Sequence, residues 1–192
     1  MNIENELRAL RARPPSRIGT AVALEVGLVD GYAVFESVLG EVMVAFNPDG
    51  VSSVGLAGDE FATRFEQLYG RGVVEARPPE GWDKLIRRGI EMGTPGSLPV
   101  DYRSVTEFQR QVLEEAAQIP RGQVRPYRWL AERVGNPGAT RAVGSTMARN
   151  PVPLIVPCHR VVRADGTLGK YSLGSVHNKE LLLRAEGAII GG

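Results

Sequence analysis

Asn150-Pro151-Val152-Pro153-Leu154-Ile155-Val156-Pro157-Cys158-His159-Arg160-Val161-Val162 holds the only cysteine of the 192-residue chain. Two apolar runs flank a Pro-Cys-His-Arg turn, which sets the thiol at the end of a buried extended segment. An imidazole and a guanidinium beside a thiol favour the thiolate, which is the nucleophile. Consecutive side chains on an extended segment point to opposite faces, so His159 is expected to reach the thiol through a water. A lone cysteine in an apolar run is more often an inert core residue, its charged neighbours here favour the reactive reading, and a histidine beside it is by itself still compatible with a core pair.

Upstream of this segment lies a pair of helices. Arg128 to Val134 reads as the first, ended by Gly135-Asn136-Pro137-Gly138, and the second opens at Ala139 and runs to Asn150. Two helices joined by a tight Gly-containing turn form a helix-turn-helix pattern. Ala139, Thr140, Ala142, Gly144, Ser145 and Ala148 leave the second helix narrow, with Arg141 and Arg149 protruding. Small residues admit close approach, and two long cations suit a nucleic-acid groove. Helical hairpins also serve as plain packing units. Before the pair, Val124 to Pro126 is a short extended piece. Ser104 to Gln118 is a helix capped by Thr106 or Ser104, with Phe108, Val112, Leu113 and Ala116 as its apolar stripe.

Charge divides the chain near residue 100. Residues 1–100 carry ten basic and fourteen acidic side chains, a net of −4, and residues 101–192 carry thirteen and eight, a net of +5. An acidic front and a basic back suggest that only the back half meets a polyanion. Gly93-Thr94-Pro95-Gly96-Ser97-Leu98-Pro99 between them has no helical or strand period and reads as a linker. Two domains are therefore expected, 1–98 and 99–192.

In the front half, Thr20 to Val29, Tyr32 to Leu39 and Glu41 to Phe46 read as consecutive antiparallel strands, broken at Asp30-Gly31 and Gly40. Asn47-Pro48-Asp49-Gly50 is a turn before a further strand, Val51 to Leu56. Asp59 is expected to cap a helix to Tyr69 with Phe61, Phe65 and Leu68 at helical spacing, and Trp82 to Met92 reads as another helix. This half reads as a scaffold without catalytic groups. One cysteine and two histidines exclude disulfide frameworks and make a structural zinc site implausible. No stretch reaches the roughly 20 apolar residues of a membrane span. The opening MNIENELRALRARPPS lacks the apolar core of a secretory signal. The single cysteine, which can form no internal disulfide, leads us to expect a reducing, cytoplasmic home, nuclear in a eukaryotic cell.

Taken in order, Arg141-Ala142-Val143-Gly144, Asn150-Pro151-Val152-Pro153, Pro157-Cys158-His159-Arg160-Val161-Val162, Gly169-Lys170-Tyr171-Ser172 and Lys179-Glu180-Leu181-Leu182-Leu183 resemble the O6-alkylguanine-DNA alkyltransferase family. The similarity spans about residues 104 to 188. It implies an α/β two-domain chain: a ribonuclease-H-like sheet-plus-helix domain, then a mostly helical winged-helix or helix-turn-helix domain carrying the cysteine.

The resemblance also implies roles. Cys158 is the alkyl acceptor, activated through a water by His159, which Glu180 orients. Tyr127 assists rotation of the nucleotide and gives a proton to guanine N3, and Asn150 links the recognition helix to the active-site turn. Arg141 fills the gap left by the flipped base, and the helix carrying Ala139, Thr140, Ala142, Gly144 and Ser145 lies in the minor groove of double-stranded DNA. Tyr171 and Ser172 close over the guanine, whose edge is read by backbone groups of Cys158, Val161 and Ser172. O6-Alkylguanine, with O4-alkylthymine beside it, is the implied substrate. A monomer without metal or cofactor is expected, reacting once because a thioether is a poor leaving group.

Three positions depart from the family pattern. Thr140 and Ser145 are larger than the residues common on that helix, and Leu173 stands where a glycine usually follows Tyr-Ser, which bears on the width of the alkyl pocket. The alternatives are a lesion sensor, which has another residue in place of the acceptor cysteine; a winged-helix DNA-binding protein without chemistry; and a Cys-His hydrolase, which needs an oxyanion site and turns over.

Overall fold

The computed structural model describes residues 17–189; the opening stretch read above for a signal lies outside them. Among the described residues there are seven α-helices and two sheets. The first element is α1 (Arg17–Glu25), where a strand from Thr20 to Val29 was expected. The β-branched content misleads there, and the stop signal is Gly27. At φ +69° it ends the helix in a Schellman motif, with Leu28 N–H donating to Ala23 O at 2.8 Å and Gly27 N–H to Leu24 O at 3.1 Å.

Three strands follow, β1 (Asp30–Ser37), β2 (Gly40–Asn47) and β3 (Gly50–Leu56), paired antiparallel in sequence order. Asp30-Gly31, expected as a break, opens β1: the Asp30 carboxylate is buried and accepts from Asn47 and Arg71. A short β4 (Val73–Glu75) adds parallel to β1, giving the order β3-β2-β1-β4. Val42 and Val44 face inward on β2, while Met43 between them turns to the other side, toward Phe61. That side is covered by α2 (Glu60–Tyr69) through Phe61 and Phe65. Leu68, expected on the same stripe, is exposed, and Tyr69, four residues after Phe65, continues the row of Phe61 and Phe65 instead. Asp59 precedes the helix but has helical backbone angles and makes no side-chain cap.

On the inner face, α3 (Trp82–Met92) contributes Ile86 to a core that continues without a break into the back half. It meets Val112, Leu113 and Ala116 of α4 (Glu107–Ala116), Leu130 and Ala131 of α5 (Tyr127–Arg133), and Val143 and Met147 of α6 (Thr140–Ala148). Thr106 caps α4 reciprocally with Gln109. The run 93–99 has no helix or strand, yet it is packed. Leu98 is buried, and Val51 N–H donates to Pro99 O at 2.9 Å along the free edge of β3. Farther along that edge, Val54 N–H donates to Pro151 O at 2.9 Å, so the front sheet holds the start of the cysteine segment.

A second sheet decides where the chemistry sits. β5 (Arg125–Pro126) pairs in parallel with β6 (Val161–Val162), Arg125 opposite Val161 and Pro126 opposite Val162. Tyr127 follows β5 directly, and the turn Cys158–Arg160 directly precedes β6. The ladder brings the two together. α7 (Val176–Ala185) closes the fold against this turn. No helix among the described residues is long and apolar enough to cross a membrane.

Candidate active site

The cysteine segment is folded upon itself by Asn150. Its side-chain amide donates to Val156 O at 2.8 Å and its side-chain oxygen accepts from Val152 N–H at 3.0 Å. Leu154, fully buried in that loop, takes φ +73°, a left-handed conformation that a leucine adopts only when its surroundings impose it. Cys158 then opens a single 3-10 turn and is 1% exposed, with Sγ 3.2 Å from Ser172 Oγ. Burial pushes the thiol up from its ordinary value, against the bond to Ser172 and the charge of Lys179.

His159 is also buried. Its Nε2 lies 2.9 Å from Glu186 Oε1, and its Nδ1 has no hydrogen-bond partner among the described residues. Burial pushes the imidazole below its ordinary range while Glu186 pulls it up, and the downward push wins. Burial would raise Glu186, but bonds from His159 and Arg160 hold its carboxyl at about 2. An ionised carboxylate only accepts, so the proton of the neutral imidazole is on Nε2 and the lone pair of Nδ1 is free. That is the state of a general base awaiting a proton.

Tyr127 is half-buried, with its hydroxyl so close to Gly169 that a Cβ there would come within 2.3 Å of it. Burial and the nearby Cys158 raise its pKa, which keeps the phenol protonated. Lys179 lies over the Tyr127 ring, 5.8 Å from its centroid, and donates to Val161 O at 2.5 Å. Its ammonium is fully buried, and burial lowers its pKa to about 8. The Val161 N–H goes to Cys158 O. Tyr171 is buried edge-on to His159, ring centroids 6.4 Å apart, and its hydroxyl has no hydrogen-bond partner among the described residues.

On α6, Val143, Thr146 and Met147 face the core and leave Arg141, Ala142 and Ser145 exposed, with Ala139, Thr140 and Gly144 half-exposed beside them. The Arg141 guanidinium makes no hydrogen bond or ion pair among the described residues. A Cβ at Gly144 would lie 4.0 Å from the Tyr127 ring, so the narrow helix face adjoins the site.

Residues 107–188 match the family model described as "6-O-methylguanine DNA methyltransferase, DNA binding domain". A methylated-DNA–protein-cysteine methyltransferase of Methanosarcina acetivorans is 36% identical over 167 residues, which cover 82% of this chain and 98% of the relative. The chain belongs to the methylated-DNA–protein-cysteine methyltransferase family. The bifunctional transcriptional activator/DNA repair enzyme Ada of Escherichia coli is 38% identical over 81% of this chain, which spans only 45% of that longer protein. Among solved structures, Mycobacterium tuberculosis OGT in complex with DNA superposes with a TM-score of 0.64 at 29% identity, covering 82% of this chain and 92% of the other.

One expected partner of this family site is misplaced by the sequence reading. Glu180 does not touch His159; it pairs with Arg184 at 2.6 Å on the outer side of α7. The carboxylate on His159 is Glu186, at the C-terminal cap of that helix. The face of α7 that meets the site carries Lys179, Leu182 and Leu183, so the adjacent position 180 points away. The Arg160 guanidinium, expected to favour the thiolate, gives its hydrogen bonds instead to Glu186 and to backbone carbonyls, and Lys179 has no role in the sequence motifs. For Lys179 the signal is legible: a lysine at helical spacing from two buried leucines stands on the apolar stripe.

Proposed function

We propose that this chain repairs DNA by transferring the alkyl group of O6-alkylguanine, and of O4-alkylthymine, to its own Cys158. The observation that carries the reading is the pairing of a buried thiol with an adjacent neutral imidazole, whose Nε2 is pinned by the ionised Glu186 and whose Nδ1 is free. The thiol gives its proton through a water to His159 Nδ1 as Sγ attacks the alkyl carbon. The carbon–oxygen bond breaks, its electron pair goes to the guanine ring, and Tyr127 donates a proton at N3. The imidazolium returns its proton through water to the tyrosinate, so the thiol proton ends on guanine. The thioether has no acidic proton and leaves poorly, and each molecule reacts once.

The reacting oxygen is hidden in stacked duplex, so the nucleotide must be turned out. We assign Arg141 to the gap it leaves, and the face of Ala139, Thr140, Ala142, Gly144 and Ser145 to the minor groove, where small residues permit contact. Tyr171 and Ser172, with backbone groups of Cys158 and Val161, then hold the base. In this reading residues 1–98 form a ribonuclease-H-like domain and residues 99–192 a winged-helix domain, with α5 and α6 as the helix-turn-helix. The protein acts as a monomer in a reducing compartment and needs no metal or cofactor.

Mass spectrometry of the intact protein and its peptides, after mixing with excess duplex holding one O6-methylguanine, tests this. One methyl on the Cys158 peptide, never more than one per protein, is expected. An unmodified protein that still binds the lesion tightly would make the chain a sensor, and one that neither reacts nor binds ends the reading.

A further inference from the structure

The Arg160 guanidinium is fully buried, and all five of its N–H donors are used. Nε donates to Glu186 Oε2 at 2.9 Å and Nη2 to Glu186 Oε1 at 2.7 Å, a two-pronged grip on the carboxylate that holds His159. The remaining donors go to backbone carbonyls: Met92 O at 2.6 Å, Gly93 O at 3.0 Å and Ile119 O at 2.7 Å. Met92 and Gly93 end α3 in the front half, Ile119 lies just past the end of α4, and Glu186 caps α7. The C-terminal ends of two helices bring backbone carbonyls with a partial negative charge, and the end of α7 brings the Glu186 carboxylate, to one cation. A fork with five fixed donors seats in such a frame in one orientation only.

We infer that Arg160 is a positioning residue for the Glu186–His159 pair, and that Gly93, in the half of the chain without catalytic groups, makes its seat. Gly93 has φ +62°, and a Cβ there would lie 2.2 Å from Arg160 Nη2 and 2.8 Å from Cζ. No side chain fits at position 93 while the guanidinium stays where it is. The front half thereby acts on the chemistry: α3 sets the guanidinium, which sets the carboxylate, which sets the tautomer and aim of the imidazole. Other contacts on the same side hold the cysteine segment itself. A Cβ at Gly89 of α3 would lie 3.5 Å from Ile155, and Val54 reaches Pro151.

The charged groups that face His159 are Glu186, which favours its protonation, and Arg160 and Lys179, which oppose it; Tyr171 adds only a ring edge. Displacing Arg160 leaves Glu186 less neutralised, so the imidazole titrates at higher pH and the acid limb of the transfer rate moves up.

The inference rests on the transferase reading, and the test separates the two. Gly93→Ala is compared with Gly96→Ala, which imposes the same left-handed strain (φ +57°) in the same run but has open space around its Cβ. Transfer of methyl from O6-methylguanine duplex is followed across pH, and the His159 ring nitrogens are followed by NMR. Gly93→Ala is expected to slow transfer by about tenfold to a hundredfold, the usual effect of a small misplacement of reacting groups. Its acid limb and its imidazole titration both move to higher pH, while Gly96→Ala stays with the parent. In an Arg160→Lys background, where no Nη2 exists to be displaced, Gly93→Ala adds little further loss. Profiles and titrations of Gly93→Ala that superimpose on those of Gly96→Ala overturn the inference. Absence of transfer in the parent overturns the transferase reading, and the NMR comparison still decides the positioning.

Discussion

Glu186 and Arg160 are joined by two hydrogen bonds, at 2.9 and 2.7 Å, and the same carboxylate accepts from His159 at 2.9 Å. A buried charge with this many partners is costly to disturb. Removing one member of a buried pair leaves the other uncompensated, which costs about 3–5 kcal/mol. Glu186→Gln is therefore expected to lower stability by that order and to slow methyl transfer by about tenfold or more, since the imidazole loses its orienting charge. Glu180→Gln, which loses only an exposed pair with Arg184, changes either quantity little. Parallel rate and unfolding measurements on the two variants check the assignment. A larger loss of transfer at position 180 than at 186 would return the role to Glu180.

Arg141 projects from α6 without a partner among the described residues, while its neighbours on that face are small. A side chain that fills the stack helps only where there is a stack. Arg141→Ala should slow repair of duplex by roughly tenfold or more, since unstacking a base costs a few kcal/mol. Its reaction with the free base O6-methylguanine should be barely affected. Single-turnover rates on both substrates decide it, and equal losses would remove Arg141 from the flipping step.

Much of the site was legible because its residues are close in sequence or carried by specific motifs. Cys158, His159 and Asn150 share one segment, and Asn150 needs only local backbone partners to act. Glu186 was missed for the opposite reason. Both carboxylates lie near α7, and only the helix phase, with Lys179, Leu182 and Leu183 inward, tells which one reaches the imidazole. Arg160 depends on carbonyls of Met92 and Gly93, far away in sequence, and backbone acceptors leave no trace in residue types. In the fold, β1 to β3 followed from alternation and turn residues, whereas β4 has three residues, too few to show a period. α1 was lost because β-branched residues outweighed the stop signal at Gly27.

Lys179 donates to Val161 O and lies over the Tyr127 ring, so one ammonium braces the strand after the cysteine turn and the proposed proton donor. Its charge also draws the Cys158 thiol down against burial. Lys179→Met removes bond and charge together, moving the thiol further up. Transfer at neutral pH is expected to fall by about tenfold to a hundredfold, with lesion binding much less affected. A variant that binds and transfers like the parent would reduce Lys179 to a packing residue.

Acid should weaken the fold in two stages of the same sign. Burial lowers the His159 pKa from its ordinary 6.5. Below that value the unfolded imidazole takes up a proton that the folded one resists, and stability starts to fall. Glu186 is held at about 2 against an ordinary 4.5. Asp101, which burial alone would raise, is held at about 2 against an ordinary 3.8 by bonds from Arg103 and Asn47. Groups depressed in the folded state contribute stability that is complete above their ordinary values and is lost as pH falls toward the folded ones. The melting temperature is thus expected to decline from neutral pH and to steepen below about pH 4.5, where the two carboxylates join the imidazole. Asp101→Asn should melt lower than the parent at neutral pH and converge on it in acid, because protonation removes from the parent what the substitution has already removed. Calorimetric scans from about pH 7 to pH 3 measure both curves. Curves that stay parallel throughout would show that the Asp101 carboxylate does not contribute through its charge.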